Sequence, residues 1–186
     1  MKLRWLAATT VAAVIALAGS LAFSDDDRKG EKDALFAGPH GIRAVDNPLY
    51  AAECGSCHFA YQPGLLPARS WQKLMSGLDE HFGENAELTP EVRTLITEYL
   101  VQNAAEQDGG KIARGILRTV DAQATPERIT DTGYFARKHD EIPPRLWRDN
   151  PKVGSLSQCS ACHTKADNAN FDEHHVLIPG YGRWED

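Results

Sequence analysis

The chain has 186 residues, 20 of them basic and 26 acidic, for a net charge of -6. That length holds one or two compact domains and excludes a large multidomain enzyme, and a pI near 5.6 argues against an electrostatic grip on nucleic acid. Hydrophobic residues make up 42% of the chain, but 16 of them lie in the first 22 positions. The remainder falls to about 38%, a thin supply for a core of this size, so something other than side chains is expected to help fill the interior.

The N-terminus reads as an export signal. Lys2 and Arg4 form a basic start, Trp5 to Phe23 carry no charge, and the acidic run Asp25-Asp26-Asp27 follows. Ser20-Leu21-Ala22 offers the small residues a signal peptidase reads, so residues 1–22 are expected to be a signal peptide. An uncleaved membrane anchor is the alternative, since the apolar stretch is just long enough to span. Either way, the bulk of the chain is expected to be periplasmic. Residues 25 to 53, rich in charge and interrupted at Gly38-Pro39-His40-Gly41, read as an irregular arm.

Next comes Cys54-Gly55-Ser56-Cys57-His58, which recurs as Cys159-Ser160-Ala161-Cys162-His163. This is the c-type haem attachment pattern. Two thiols at that spacing reach the two vinyl groups of one haem, and the adjoining histidine comes under the iron as proximal ligand. A zinc site brings its cysteine pairs much closer together in sequence and leaves the trailing histidines unexplained. A thioredoxin-like motif needs a βαβ pattern that is absent here. A disulfide within either pair closes a tiny, strained loop. All four cysteines are used by two covalently attached haem c groups, with cofactor-binding residues Cys54, Cys57, His58, Cys159, Cys162 and His163.

The first motif is expected to open a short helix or turn, cut off by Pro63 and Pro67. Ser70 then suits the cap of a helix whose apolar stripe is Trp71, Leu74, Met75, Leu78 and Phe82. Thr89-Pro90 starts a helix with Val92, Leu95, Ile96, Tyr99 and Leu100 on one face, expected to run to Gly109-Gly110. A third helix carries Ile112, Ala113, Ile116, Leu117 and Val120, and Thr125-Pro126 suits the start of a shorter one. Beyond residue 130 the pattern dissolves among Pro143-Pro144, Pro151 and Gly154, and the final 20 residues read as loop or short strand. Gly109-Gly110 divides a haem domain over 23–108 from a second over 111–186.

The sixth ligand of each iron separates electron transfer from binding of oxygen or peroxide. Outside the motifs lie His40, His81, His139, His174 and His175, and Met75 is the one methionine besides the initiator. His81 falls on the apolar stripe with Leu74 and Leu78 and is the expected ligand of the first iron; Met75 is the alternative. For the second iron His139 has ample reach, 20 residues before Cys159. His174 and His175 follow His163 by 11 and 12 residues; at about 36 Å fully extended, they make a tighter alternative.

Two segments resemble the small bacterial dihaem cytochromes c. One runs from Leu66-Pro67-Ala68-Arg69-Ser70-Trp71 through Leu74-Met75 to His81-Phe82-Gly83-Glu84-Asn85-Ala86. The other runs from Tyr134-Phe135 through His139 to Glu141-Ile142-Pro143. The resemblance implies a mainly α fold, with short helices and irregular loops wrapped around two covalently bound c-type haems of low potential. It implies His58 with His81 as metal ligands on the first, and His163 with His139 on the second; His174 and His175 match no family ligand. It further implies an electron-transfer carrier, not an enzyme, exchanging with a membrane cytochrome b component and exported cytochromes, an oxygen-binding one among them. Membrane contact is expected only through a partner or an uncleaved N-terminus. A small dihaem peroxidase-like or gas-binding enzyme with one open iron is the alternative.

Overall fold

A computed structural model describes residues 41–184. The expected signal peptide over 1–22 and the turn around His40 lie outside the described residues. Among those described, no helix is long and apolar enough to cross a membrane. Among the described residues, seven short helices, with 3-10 turns between or after several of them and one small hairpin, make up the mainly α architecture.

Helix α1 spans Pro48–Gly55. Its start is dictated locally: Asn47 Oδ1 accepts the Tyr50 N–H at 3.0 Å, and Pro48 occupies the first turn, where no N–H is needed. The irregular arm expected to reach residue 53 therefore stops at 47. The first Cys-X-X-Cys-His motif closes this helix rather than opening one.

Helix α2 spans Ala68–Ser76 and begins after Pro67, whose fixed φ sets the entry; Ser70 is not its cap. Ser70, Trp71, Leu74 and Met75 are buried on its inner face. Trp71 Nε1–H donates to the Pro63 carbonyl at 2.7 Å, which satisfies a buried indole. The helix ends at Gly77, whose N–H turns back to Leu74 O at 3.1 Å. A 3-10 turn over Leu78–Glu80 follows. The expected stripe is thereby cut: Leu78, His81 and Phe82 leave the helix axis.

Helix α3, Pro90–Gln102, starts where Thr89 Oγ1 accepts the Val92 N–H. Ile96 and Leu100 are fully buried against Trp71, Leu74 and Met75 of α2, forming the first core with Tyr50 and Leu66. Each such side chain contributes about 1.5–3 kcal/mol of burial. Leu95, expected on the same stripe, is 55% exposed. The helix also stops short of Gly109. Asn103 Nδ2 takes the Tyr99 carbonyl at 2.8 Å, a side chain competing with the helix ladder. Ala105 N then bonds Leu66 O at 3.0 Å, drawing the chain into the separate one-turn helix α4, Ala105–Asp108.

Gly109 takes a left-handed φ of 73° and Gly110 begins helix α5, Lys111–Leu117, which ends before Val120. Ile112 N–H reaches back to Gly41 O at 2.9 Å. Asp108, fully buried, accepts from Arg43 N at 2.9 Å and Gly110 N at 2.9 Å. A second small core gathers Ile42, Leu65, Ile112 and Ala169. Gln62 Nε2 donates to Ala166 O at 2.8 Å, so the stretch after the first motif is tied to the stretch after the second.

No helix starts at Thr125-Pro126. Instead Thr132 Oγ1 accepts the Phe135 N–H and caps helix α6, Gly133–His139. Helical order therefore continues past residue 130, where period alone predicted its loss. Helix α7, Cys159–Cys162, is one turn of the second motif. Strands β1, Leu177–Ile178, and β2, Gly182–Arg183, pair antiparallel with Leu177 opposite Arg183.

Gly110 has an ordinary φ of -72°, yet a Cβ there overlaps the Gly41 carbonyl. Gly110→Ala is expected to lower stability by about 1–3 kcal/mol, as overpacking does. Denaturant unfolding of the haem-loaded protein, followed by circular dichroism, measures this; a change under about 0.5 kcal/mol is that of an unconstrained surface site.

Candidate metal centres

The first motif lies where α1 runs out. Cys54 is half-buried in its last turn, Cys57 is exposed, and His58 follows half-buried. His58 Nδ1 lies 2.8 Å from the Phe59 carbonyl. A carbonyl only accepts, so Nδ1 carries the proton and Nε2 keeps its lone pair. The Tyr61 ring packs against His58 with centroids 5.2 Å apart.

His81 faces that imidazole. The stop at Gly77 and the 3-10 turn over Leu78–Glu80 swing it round, with Leu78 packed on the first core as the anchor. Ala86 N–H closes the loop onto Leu78 O at 2.8 Å. The His58 and His81 rings lie nearly parallel, 20° apart in plane and 6.1 Å between centroids. Burial holds His81 below its ordinary pKa, with His58 and Arg128 adding to the effect. Phe82 takes a positive φ of 57° and stays half-exposed with the Arg128 guanidinium 3.8 Å over its ring. Met75, by contrast, is buried in the core between α2 and α3.

In the second site, Cys159 and Cys162 are half-buried on α7, and the His163 N–H closes that turn onto Cys159 O at 2.8 Å. His139 comes from the last residue of α6. Its Nδ1 donates to Phe135 O at 2.9 Å, and its ring stacks on Phe135 at 3.9 Å, so position and tautomer are both set. His139 and His163 face each other at 6.1 Å, rotated 73° in plane, and Phe171 meets the His163 ring edge-on at 5.3 Å. Burial pushes His163 down to about 4, with His139 adding to the shift; burial also lowers His139. Both imidazoles are thus held neutral, the form that binds metal.

Each pair can accommodate a metal between its rings. A metal–imidazole bond of about 2.0–2.1 Å, with roughly 1.1 Å from nitrogen to ring centre, sets opposed ligand centroids about 6.3 Å apart. Both pairs sit at 6.1 Å, close to that separation. Either relative rotation suits this arrangement, because each ring turns about its own metal–nitrogen axis. A cavity of about 580 Å³ opens beside the second pair, walled by Ile116, Leu146, Trp147 and Phe171; cofactor pockets span about 300–1,000 Å³. Burial raises the Cys54 thiol to about 11 and the Cys159 thiol to about 11. Neither is poised as a free thiolate.

His174 borders the second cavity. Its backbone N–H is held by Asp172 Oδ1 at 2.9 Å in a short turn over Glu173–His175. Sequence reasoning missed Phe135, which sits four residues before His139 on one helix face, a spacing that could have flagged it. Arg128 reaches the first site from a distant segment, while Tyr61 and Phe171 follow His58 and His163 by three and eight residues in irregular stretches whose pattern gives no signal.

A family model for dihaem cytochrome c matches residues 50–171. Among solved structures, a dihaem cytochrome type c from Shewanella baltica OS155 is 49% identical. The match covers 76% of this chain and 99% of that one, with a TM-score of 0.63. A dihaem cytochrome c from Rhodobacter sphaeroides is 45% identical over 69% of this chain and 99% of that one, with a TM-score of 0.61. A further structure of a protein purified from Rhodobacter sphaeroides is 42% identical, covers 69% and 99%, and has a TM-score of 0.55. No curated protein matches.

Thr132 is 1% exposed; its hydroxyl both caps α6 and donates to Ile129 O at 2.8 Å. Thr132→Ala is expected to cost about 1–2 kcal/mol, with Thr132→Ser recovering most of it. Thermal unfolding of the two variants side by side tests this; equal losses remove the cap from the account of how His139 is placed.

Proposed function

The chain belongs to the dihaem cytochrome c family and carries two covalently attached haem c groups; from that premise we propose that it is an exported electron carrier, each iron held between two histidines. The observation that carries the reading is the paired imidazoles at 6.1 Å beside both attachment motifs.

Cys54 and Cys57 would hold the first haem with His58 and His81 on its two faces. Cys159 and Cys162 would hold the second with His163 and His139. The group supplies a one-electron couple at its iron, and imidazole on both faces stabilises the ferric state relative to a His/Met pair. With His81 and His139 as second ligands, neither haem would keep an open position for substrate. His139 in particular is fixed by Phe135 from two directions, which limits its rearrangement between oxidation states. That is the requirement of a carrier rather than of a peroxidase-like or gas-binding enzyme, which needs one open iron. The N-terminal segment over 1–22 supports export to the periplasm, where haem c is attached on this reading.

Partners on this reading are redox proteins: a membrane cytochrome b component on one side and exported cytochromes, an oxygen-binding one included, on the other. Loss of residues 1–22 removes Lys2 and Arg4 and leaves 18 basic against 26 acidic residues. Such a surface favours a partner with a basic docking face.

Three substitutions test the ligands. His81→Ala is expected to open the first iron to carbon monoxide while the second stays closed, and His139→Ala the reverse, both read from absorption spectra. Met75→Leu is expected to leave both irons low-spin, consistent with its place in the core; if it opens the first iron instead, the assignment of His81 is wrong. In a separate measurement, electron exchange with the physiological partner is expected to slow as salt rises across the range where the Debye length falls from about 30 to 8 Å. A rate indifferent to salt points to an apolar docking face.

A further inference from the structure

Tyr61 lies between the two centres and touches residues of both. Its ring packs on His58 at 5.2 Å, tilted by 39°. Its hydroxyl donates to the Ser157 carbonyl at 2.8 Å, across 96 residues of sequence. That same carbonyl accepts the Cys159 N–H at 3.0 Å and lies 3.6 Å from Cys159 Sγ. The backbone of Tyr61 is fixed as well, its own carbonyl accepting the Tyr50 hydroxyl at 2.7 Å. A half-buried phenol needs some acceptor, but nothing in packing alone requires one that also receives the first cysteine of the other motif.

We propose that Tyr61 is the bridge for electron exchange between the two haems, linking the proximal imidazole of the first to the Cys159 attachment of the second through the Ser157 carbonyl. This rests on the ligand and attachment reading above. The step it serves moves one electron: one iron goes from ferrous to ferric as the other goes from ferric to ferrous. No bond is made or broken. Tyr61 keeps its proton in the bond to Ser157 and is itself neither oxidised nor reduced; it supplies a path of one ring contact and one short hydrogen bond in place of a gap. Tyr61 is therefore a positioning residue, acting through His58 and Cys159.

The experiment uses the haem-loaded protein, half-reduced by a pulse of radiolytic electrons, with inter-haem equilibration followed optically. Tyr61→Phe keeps the ring on His58 and removes only the hydroxyl. Gln62→Met is the control, because the Gln62–Ala166 hydrogen bond also ties the two motif regions together but does not touch His58 or Cys159. Tyr61→Phe is expected to slow equilibration several-fold with both haem potentials and low-spin spectra unchanged, while Gln62→Met keeps the wild-type rate. Tyr61→Leu, which also loses the ring contact, is expected to be slower still; should it fail to fold, Tyr61→Phe against Gln62→Met decides the matter alone. A wild-type rate in Tyr61→Phe overturns the bridge, and so does an equal slowing in Gln62→Met, which reduces Tyr61 to a structural tie. A high-spin iron in the wild-type electron paramagnetic resonance spectrum overturns the ligand reading beneath it, an outcome distinct from equal rates between two low-spin haems.

Discussion

Four imidazoles, His58 with His81 and His139 with His163, are brought into two pairs by a chain with little apolar material to spare. With ring centres 6.1 Å apart in both pairs, the surrounding protein fixes each ring in place. At the second site this is done twice over, by a backbone carbonyl on Nδ1 and an aromatic stacked on the ring face. At the first site a helix stop, a 3-10 turn and the half-buried Leu78 do the same work for His81. Burial favours the neutral ring at His81, His139 and His163, and the Nδ1–H of His139 bonds a backbone carbonyl, which leaves its Nε2 lone pair free.

The cores are correspondingly small and local. Helices α2 and α3 close on Trp71, Met75, Ile96 and Leu100, and Ile42, Leu65, Ile112 and Ala169 form a second patch. The seam between them is polar and specific. Asp108 is buried with two backbone N–H groups on its carboxylate and Arg43 3.6 Å away, an arrangement in which charge-assisted bonds offset the cost of burial. Gly110 lets the chain pass against Gly41. Gln62 and Tyr61, adjacent in sequence, each reach across to the neighbourhood of the second motif. These two links tie the stretch after the first motif to the region of the second and contribute to the stability of the whole.

Much of this was visible in the residues. Thr89-Pro90 marked a helix start that the structure keeps, and the spacing of Ile96 and Leu100 identified the face that packs. Asn47-Pro48 is an equally good start signal, obscured by the charge and glycine that precede it. The stripe from Trp71 to Phe82 was read as one helix because hydrophobic period carries no information about where a glycine ends it. Helix α6 was missed for the converse reason. Over Gly133–His139 its single buried residue is Phe135, too few for a period, and its stability comes from the Thr132 cap and from what it packs against.

The sequence by itself determined the chemistry: two Cys-X-X-Cys-His motifs are covalent in origin, and their spacing is a property of five consecutive residues that no folding can alter. It also narrowed the facing residues to a few histidines and one methionine, since imidazole and thioether are scarce in this chain. Which of those side chains stands opposite which motif was decided only in three dimensions. His81 turns toward His58 because Gly77 ends a helix early, and His139 stands over His163 because a cap at Thr132 and a carbonyl at Phe135 put it there. Met75, one helical turn from the same turn, is drawn into the core instead by Trp71 and Ile96. Those outcomes depend on packing between segments far apart in the chain, where the free energy is shared among many weak contacts and no short pattern of residues records it.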